Sequence, residues 1–163
     1  MAEIRELREK DLTRVYKLMH KILPQIKYYP RKVLVEFLKD YSMKNLKHIY
    51  SQKGACFLGA FEDKRLVGFS FGWNDHGVFW IDWTCVEEHH RRGHIALQLG
   101  MRMEKEAKKL GCHKMHADTS VKNIPTLLLA KKKGWFIEAT LKNHWFKWDY
   151  VLLSKNLKNP AKF

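Results

Sequence analysis

An apolar stretch, a short basic turn and an amphipathic helix follow one another between residues 78 and 111. The stretch Val78–Val86 has apolar side chains at odd and even positions, which predicts a central strand covered on both faces. The polar run Glu87–Gly93 predicts a turn before the helix. A helix start presents unpaired N–H groups and a partial positive charge, to which Arg91 and Arg92 add full charges. This order of elements predicts an anion site suited to phosphate.

The helix after the turn has an apolar face whose residues recur every three or four positions: Ala96, Leu99, Met103, Ala107 and Leu110. Charged residues occupy the opposite face, and Gly111 stands where a left-handed cap is expected. Such a helix packs one face on a sheet.

The rest of the chain predicts, in order, a strand at Glu3–Arg8, two helices ending near Tyr41, a three-strand meander, this helix, a strand, a helix and two closing strands. We expect a single domain over residues 1–163 of the α/β (α+β) class. Its mixed, mostly antiparallel sheet of about seven strands would be flanked by about four helices.

The net charge of +14, from 31 Lys and Arg against 17 Asp and Glu, favours polyanionic partners such as nucleic acid or a phosphorylated cofactor. The alternative is that lysine serves only as a solubilising residue. Three widely spaced cysteines, a charged opening and no long apolar run predict a reduced, cytoplasmic protein without a membrane segment.

The segment TCVEEHHRRGHIALQL, followed by AKKLG, resembles the acyl-CoA signature of the GNAT superfamily of N-acetyltransferases. In that signature a strand ending in Val precedes Arg/Gln-x-x-Gly-x-Gly/Ala and a helix that ends in Gly. Counting from Val86, the arginine falls on Arg91, the last small residue on Ala96 and the helix stop on Gly111. The segment Asn123–Trp135 resembles the second motif of the family. The order of elements also fits the GNAT fold over essentially the whole chain.

Two positions depart from the family pattern. The middle glycine of the signature falls on His94, with Gly93 one position early; a shifted register would instead put His90 in place of the arginine. We prefer the first register and expect the backbone donors to survive a histidine whose φ is negative. Where many members have a tyrosine that protonates the leaving thiolate, this chain has Ala130. Tyr150, His144 or water would have to replace it.

The resemblance implies acetyl-CoA as cosubstrate and direct attack of an amine on its thioester. The residues expected to bind the coenzyme are Cys85, Val86, Arg91, Arg92, Gly93, His94, Ile95, Ala96 and Asn123. The backbone of residues 91–96 would hold the diphosphate, and the open edge of the strand ending at Val86 would pair with the pantetheine amides. A backbone N–H there would face the thioester oxygen. The alternative role of Asn123 is a helix N-cap.

Asp82 is the candidate catalytic base. A lysine-like amine has a pKa of about 10.4 and an α-amine about 8, so a base is useful at neutral pH. A period of two places Asp82 on one face with Val78, Trp80, Thr84 and Val86, where apolar surroundings would raise its pKa. The alternative is a structural pairing of Asp82 with an arginine or a backbone group.

Other clusters of polar or aromatic residues are weaker candidates for a functional site. Cys112, His113 and His116 lie too close together for tetrahedral zinc, and no CxxC pair exists, so we expect no metal. We interpret Cys85 as a packed thiol rather than a nucleophile. We interpret the lysines at 131–133 as a solvated helix face rather than an RNA contact. Two aromatic clusters are expected to line the acceptor pocket or the core: Tyr28 and Tyr29, and Trp145, Phe146, Trp148 and Tyr150.

The sequence therefore favours an acetyl-CoA-dependent N-acetyltransferase, monomeric or homodimeric, acting on an amine-bearing small molecule or protein. The alternative is a non-catalytic module of the same fold that binds acyl-CoA or RNA. The acceptor stays open, although the basic surface favours acidic or phosphate-bearing acceptors over polyamines.

Overall fold

The computed structural model describes residues 2–91 and 93–158. Its strands are β1 (Glu3–Glu6), β2 (Ala55–Glu62), β3 (Arg65–Asp75), β4 (Val78–Val86), β5 (Lys114–Ser120), β6 (Phe136–Leu141) and β7 (Tyr150–Asn156). Its α-helices are α1 (Leu12–Ile22), α2 (Arg31–Asp40), α3 (Met43–Tyr50), α4 (Ile95–Lys109) and α5 (Ile124–Lys132). The strands form one sheet in the order β1-β2-β3-β4-β5-β7-β6. Only the β4–β5 pair is parallel in the described sheet, which confirms the mixed, mostly antiparallel prediction.

Helix α3 is absent from the sequence-based prediction, which has two helices before the meander where the structure has three. The helix begins after Ser42, whose side chain accepts a hydrogen bond from the Asn45 backbone at 3.4 Å. Leu46 is its one fully buried residue, and Met43, Ile49 and Tyr50 pack on the core beside it at helical spacing.

The core lies in two layers, one on each face of the sheet. On one face α1 packs Leu12, Val15 and Met19 against Phe57 and Phe71. On the other face α4 packs its predicted apolar stripe against the sheet; the buried members of that stripe are Leu99, Met103 and Ala107. Helix α5 differs, because it has no fully buried residue.

A β-bulge interrupts β4 at Asp82. Trp83 lies opposite Phe71 and Ile81 lies opposite Gly72, so Asp82 is the extra residue on β4. A Cβ added at Gly72 would lie 1.9 Å from the carbonyl oxygen of Trp80. Only a glycine allows the close approach of the two backbones beside the bulge.

The bulge changes which residues share a face of the sheet with Asp82. Before it, Phe79 and Ile81 pack on the α4 side; beyond it, Val86 packs on that side, while Trp83 packs on the α1 side. The period-two placement of Asp82 on one face with Val86 is therefore wrong, because one extra residue reverses the alternation.

Strands β4 and β5 separate shortly after the bulge begins. Their pairing runs from Val78 opposite Lys114 to Ile81 opposite Ala117 and then stops, although β4 continues to Val86. On its other side β5 stays paired with β7. Within the described residues, the edge of β4 over residues 82–86 that faces β5 is left without a paired strand.

Candidate functional site

The basic turn that follows β4 is fastened to the protein by Glu87. This carboxylate is buried and contacts the Lys21 ammonium and the Arg65 guanidinium, with Nη2 to Oε2 at 3.0 Å. The hydrogen bond from Lys21, aided by Arg65, holds the pKa of Glu87 below its usual value. The backbone N–H of Glu87 donates to the Val67 carbonyl at 2.9 Å. The turn therefore begins from a fixed point.

Two of the predicted phosphate donors are used inside the turn. The Arg91 N–H donates to the Glu88 carbonyl at 3.2 Å, and the Gly93 N–H donates to the His90 carbonyl at 3.1 Å. The Arg91 side chain donates to the Val86 carbonyl at 3.1 Å. Arg92 lies outside the described residues.

Within the described residues, the hydrogen-bond ladder of α4 begins at Gln98. Gln98 donates its N–H to the His94 carbonyl at 3.0 Å, which is the first hydrogen bond of the helix. The N–H groups of Ile95, Ala96 and Leu97 therefore precede the ladder of the helix. The candidate anion site thus includes Ile95 and Ala96 of the predicted segment 91–96 and extends to Leu97, whereas the N–H groups of Arg91 and Gly93 are used within the turn.

His94 is the N-cap of α4 and adopts a left-handed conformation, with φ 60° and ψ 11°. The expectation of a negative φ is therefore wrong. The conformation typical of glycine thus falls on His94, one position after Gly93. This placement agrees with the register that aligns His94 with the middle glycine of the family signature.

We expect His94→Gly to raise the free energy of unfolding slightly, by less than about 1 kcal/mol. Glycine removes the left-handed strain of roughly 1–2 kcal/mol, and its larger unfolded-state entropy offsets part of the gain. Urea unfolding measures the change. His89→Gly is the control, since His89 lies in the neighbouring 3-10 turn without a positive φ and should lose stability. Equal losses in both variants would contradict the strain at His94.

Asp82 lies partly buried beside the separation of β4 and β5. Its Oδ1 accepts a hydrogen bond from the Tyr41 hydroxyl at 3.0 Å. Burial raises the pKa of Asp82 to about 7, the Tyr41 hydrogen bond opposes the shift, and the nearby Asp118 adds to it. Within the described residues the Tyr41 hydroxyl is the hydrogen-bond partner of this side chain, and no arginine nitrogen lies within 4.0 Å of its oxygens. A carboxylate with a pKa near neutrality suits general-base catalysis.

Asp118 follows the last residue of β5 that pairs with β4, and sequence reasoning missed it. The Trp145 indole donates to Asp118 Oδ2 at 3.2 Å, and His144 Nε2 lies 4.0 Å from the same oxygen. In the sequence Asp118 is the single acid of the strand CHKMHADTS. It lies four positions after Lys114, as Asp82 lies four positions after Val78, and Val78 and Lys114 are paired on β4 and β5.

Three tyrosines lie together near the opening of the sheet. The hydroxyls of Tyr29 and Tyr150 are 2.6 Å apart. Burial, with Cys85 nearby, raises the pKa of Tyr28 to about 12, and burial also raises the pKa of Tyr29 and of Tyr150. All three phenols are therefore neutral near pH 7. The ring of His144 lies 5.7 Å from that of Tyr150.

Aromatic rings from three parts of the chain meet beside Asp82. Phe37 of α2 contacts Trp83 of β4 and Phe146 of the β6–β7 connection, with ring centroids 5.7 and 5.4 Å apart. The ring of Tyr29 lies 6.3 Å from that of Trp148. The structure thus brings both predicted aromatic clusters to one place, next to the carboxylate.

The remaining candidates are placed as follows. Cys85 is buried and burial raises the pKa of its thiol to about 12, which agrees with a packed thiol. The Asn123 side chain donates to Thr119 Oγ1 at 2.9 Å and does not cap α5. In the described residues no three His, Cys, Asp or Glu side chains group as metal ligands, and no helix has the length and apolarity to span a membrane.

Comparisons with known proteins agree with this geometry. The sequence profile of the Acetyltransferase (GNAT) family matches residues 9–135. The solved structure of PaiA N-acetyltransferase from Thermoplasma acidophilum, in complex with coenzyme A, is 21% identical, with a TM-score of 0.81 over 96% of this chain and 99% of that one. A probable acetyltransferase from Staphylococcus epidermidis ATCC 12228 is 20% identical, with a TM-score of 0.80 over 97% and 100% of the two chains.

The ribosomal-protein-S18-alanine N-acetyltransferase from Escherichia coli is 13% identical, with a TM-score of 0.79 over 99% of this chain and 97% of that one. A search of curated proteins finds no match.

Proposed function

Because the chain belongs to the GNAT family of acetyltransferases, we propose that it transfers an acetyl group from acetyl-CoA directly to an amine. The observation that carries this proposal is the position of Asp82. A base with a pKa of about 7 lies on a bulge, beside the point where β4 and β5 separate.

The coenzyme would use three features of the described residues. The N–H groups at the start of α4, residues 95–97, suit a diphosphate, because a helix start combines donors with a partial positive charge. Arg91 adds a full charge next to them. The unpaired edge of β4 over residues 82–86 offers backbone groups to the amides of the pantetheine arm. Asn123 lies at the start of α5, and the exposed apolar surface of α5 is available to cover the arm.

The acceptor nitrogen would lose its proton to Asp82 and then attack the thioester carbonyl carbon. A C–N bond forms as the C–S bond breaks, the sulfur leaves as a thiolate, and the new amide nitrogen gives up its second proton to the group that protonates the sulfur. A backbone N–H on the β4 edge, at or near Cys85, would stabilise the oxyanion, an effect typically worth roughly 3–4 kcal/mol. Ala130 carries no acid, so we assign protonation of the thiolate to the neutral tyrosine group, with Tyr150 as the first candidate.

We expect acetyl-CoA at 100 times its Kd to raise the free energy of unfolding by about 2.7 kcal/mol. The reason is that the coenzyme binds only the folded chain. Thermal denaturation with and without the ligand measures the effect. S-acetylpantetheine is the matched control, since it lacks the diphosphate and should stabilise far less. The absence of a shift at millimolar acetyl-CoA would contradict a coenzyme site.

Turnover tests the activity itself. Release of free CoA thiol from acetyl-CoA should require both the protein and an amine, in a panel of aliphatic amines, amino acids and peptides with free N-termini. Salt-sensitive binding of RNA without any CoA release would instead favour the non-catalytic alternative.

A further inference from the structure

Partly or fully buried carboxylates in this chain generally have a strong cationic partner. The pairs and their N–O distances are Asp11 with Arg5 at 3.0 Å, Glu87 with Arg65 at 3.0 Å, Glu104 with Lys155 at 2.7 Å and Glu106 with Arg102 at 2.7 Å. Asp82 and Asp118 differ. Among the described residues, neither has a Lys or Arg nitrogen within 4.0 Å, although the chain carries 31 such residues.

These two carboxylates without a Lys or Arg partner lie side by side on neighbouring strands. Ile81 and Ala117 are the last residues of β4 and β5 that pair, and Asp82 and Asp118 follow them directly. Paired strands lie about 4.8 Å apart. The two aspartates are therefore neighbours at the point where β4 and β5 separate. Asp118 is close enough to contribute to the raised pKa of Asp82.

Asp118 has a free oxygen. The Trp145 indole and the His144 ring both approach Oδ2, and no hydrogen bond to Oδ1 occurs within the described part of the chain. The carboxylate is about one-third exposed, so a ligand can reach it. Trp145 therefore fixes the orientation of Asp118 while Oδ1 stays available.

The surroundings suit a cation. Aromatic rings, among them Trp83 and Phe37, approach the Asp82 side of the opening, and Tyr41 contacts both Asp82 and the Trp83 ring. Ring faces attract ammonium groups and offer no hydrogen bond to an anion. Asp82 and Asp118 place two carboxylates at this opening in an otherwise basic protein, and the Lys122 ammonium already lies 3.9 Å from the centroid of the Trp148 ring in the same aromatic cluster.

We propose that Asp118 binds the ammonium group of the acceptor, and that the acceptor is a cationic primary amine whose chain carries no negative group. This inference rests on the proposed function. The ammonium would donate hydrogen bonds to Asp118 Oδ1 and to Asp82. Asp82 would take one proton, and Asp118 would hold the nitrogen at the thioester by accepting a hydrogen bond from a remaining N–H. The expectation of acidic or phosphate-bearing acceptors, taken from net charge, is replaced by its opposite.

Binding is measured apart from turnover, on the protein saturated with free CoA. Isothermal titration compares three probes of similar length: 1,5-diaminopentane, pentylamine and 5-aminopentanoate. We expect affinity to fall in that order, because the charge at the far end changes from positive to neutral to negative. Asp118→Asn keeps the acceptor for the Trp145 indole and removes the charge. Loss of one charge-assisted hydrogen bond should weaken binding of 1,5-diaminopentane about tenfold.

Asp63→Asn is the matched control. It removes the same charge in the exposed β2–β3 turn, where the positive φ of 47° suits asparagine, and should leave amine binding unchanged. A wild-type protein that binds 5-aminopentanoate as tightly as 1,5-diaminopentane would overturn the inference. Equal affinity of wild type and Asp118→Asn for the diamine would also overturn it. CoA release from acetyl-CoA is scored separately, so its absence bears on the proposed function and not on this site.

Discussion

Asp82→Asn should lower kcat/KM for the amine by about a hundredfold or more at pH 8, a typical contribution of a general base. Asparagine keeps the shape of the side chain and can still accept from the Tyr41 hydroxyl, but it cannot take a proton. In the wild type, kcat/KM should rise with pH through a midpoint near 7, since Asp82 is a base only when ionised. The variant should lose this inflection and keep only the rise due to deprotonation of the amine.

Tyr41→Phe provides the control for this assignment. The Tyr41 hydrogen bond holds the pKa of Asp82 down, so its removal should move the midpoint to higher pH while Asp82 stays in place. Steady-state rates between pH 5.5 and about 9 measure both profiles, and thermal unfolding confirms that the variants are folded. An unchanged kcat/KM in Asp82→Asn across this range would remove Asp82 from the mechanism.

Gly72→Ala should cost about 3 kcal/mol in the free energy of unfolding, the upper end for an overpacked core position. The added Cβ would meet the Trp80 carbonyl oxygen at 1.9 Å. The obstacle is backbone rather than a movable side chain, so β3 and β4 must move apart or the bulge must be lost. Since the bulge directs Asp82 to the site, activity should fall together with stability.

Gly100→Ala is the matched control, because a Cβ at Gly100 meets nothing within 4 Å and the residue lies inside α4. Alanine there should stabilise the protein by roughly 0.5–1 kcal/mol. Urea unfolding measures both variants. If Gly72→Ala proved as stable as the wild type, the close approach of β3 and β4 would not be what fixes the bulge.

The spacing of apolar residues was sufficient to predict the helices and strands that have one clearly apolar face. The stripe on α4, with Gly111 after it, and the meander of β2, β3 and β4 follow from spacing and turn residues alone. Helix α3 was not predicted, although Met43, Leu46, Ile49 and Tyr50 recur at helical spacing, because it is only eight residues long. The family signature likewise located the basic turn, but not which of its N–H groups remain free.

The features that define the site depend on tertiary contacts. A bulge leaves no trace in a strand that is apolar on both faces, so the face of Asp82 could not be read by counting. Asp118 becomes informative only when β4 and β5 are known to be parallel with Val78 opposite Lys114. The left-handed conformation of His94 contradicts the ordinary preference of histidine and is imposed by the turn.

The short β4–β5 pairing has a mechanical consequence. Four paired positions join the four strands on one side of the molecule to the three on the other, and the Tyr29–Tyr150 contact adds a link from the helical layer. Few backbone bonds therefore resist separation of the two parts, compared with those inside each part. A coenzyme lying in the opening would strengthen that junction, which would make it a component of the scaffold as well as a reactant.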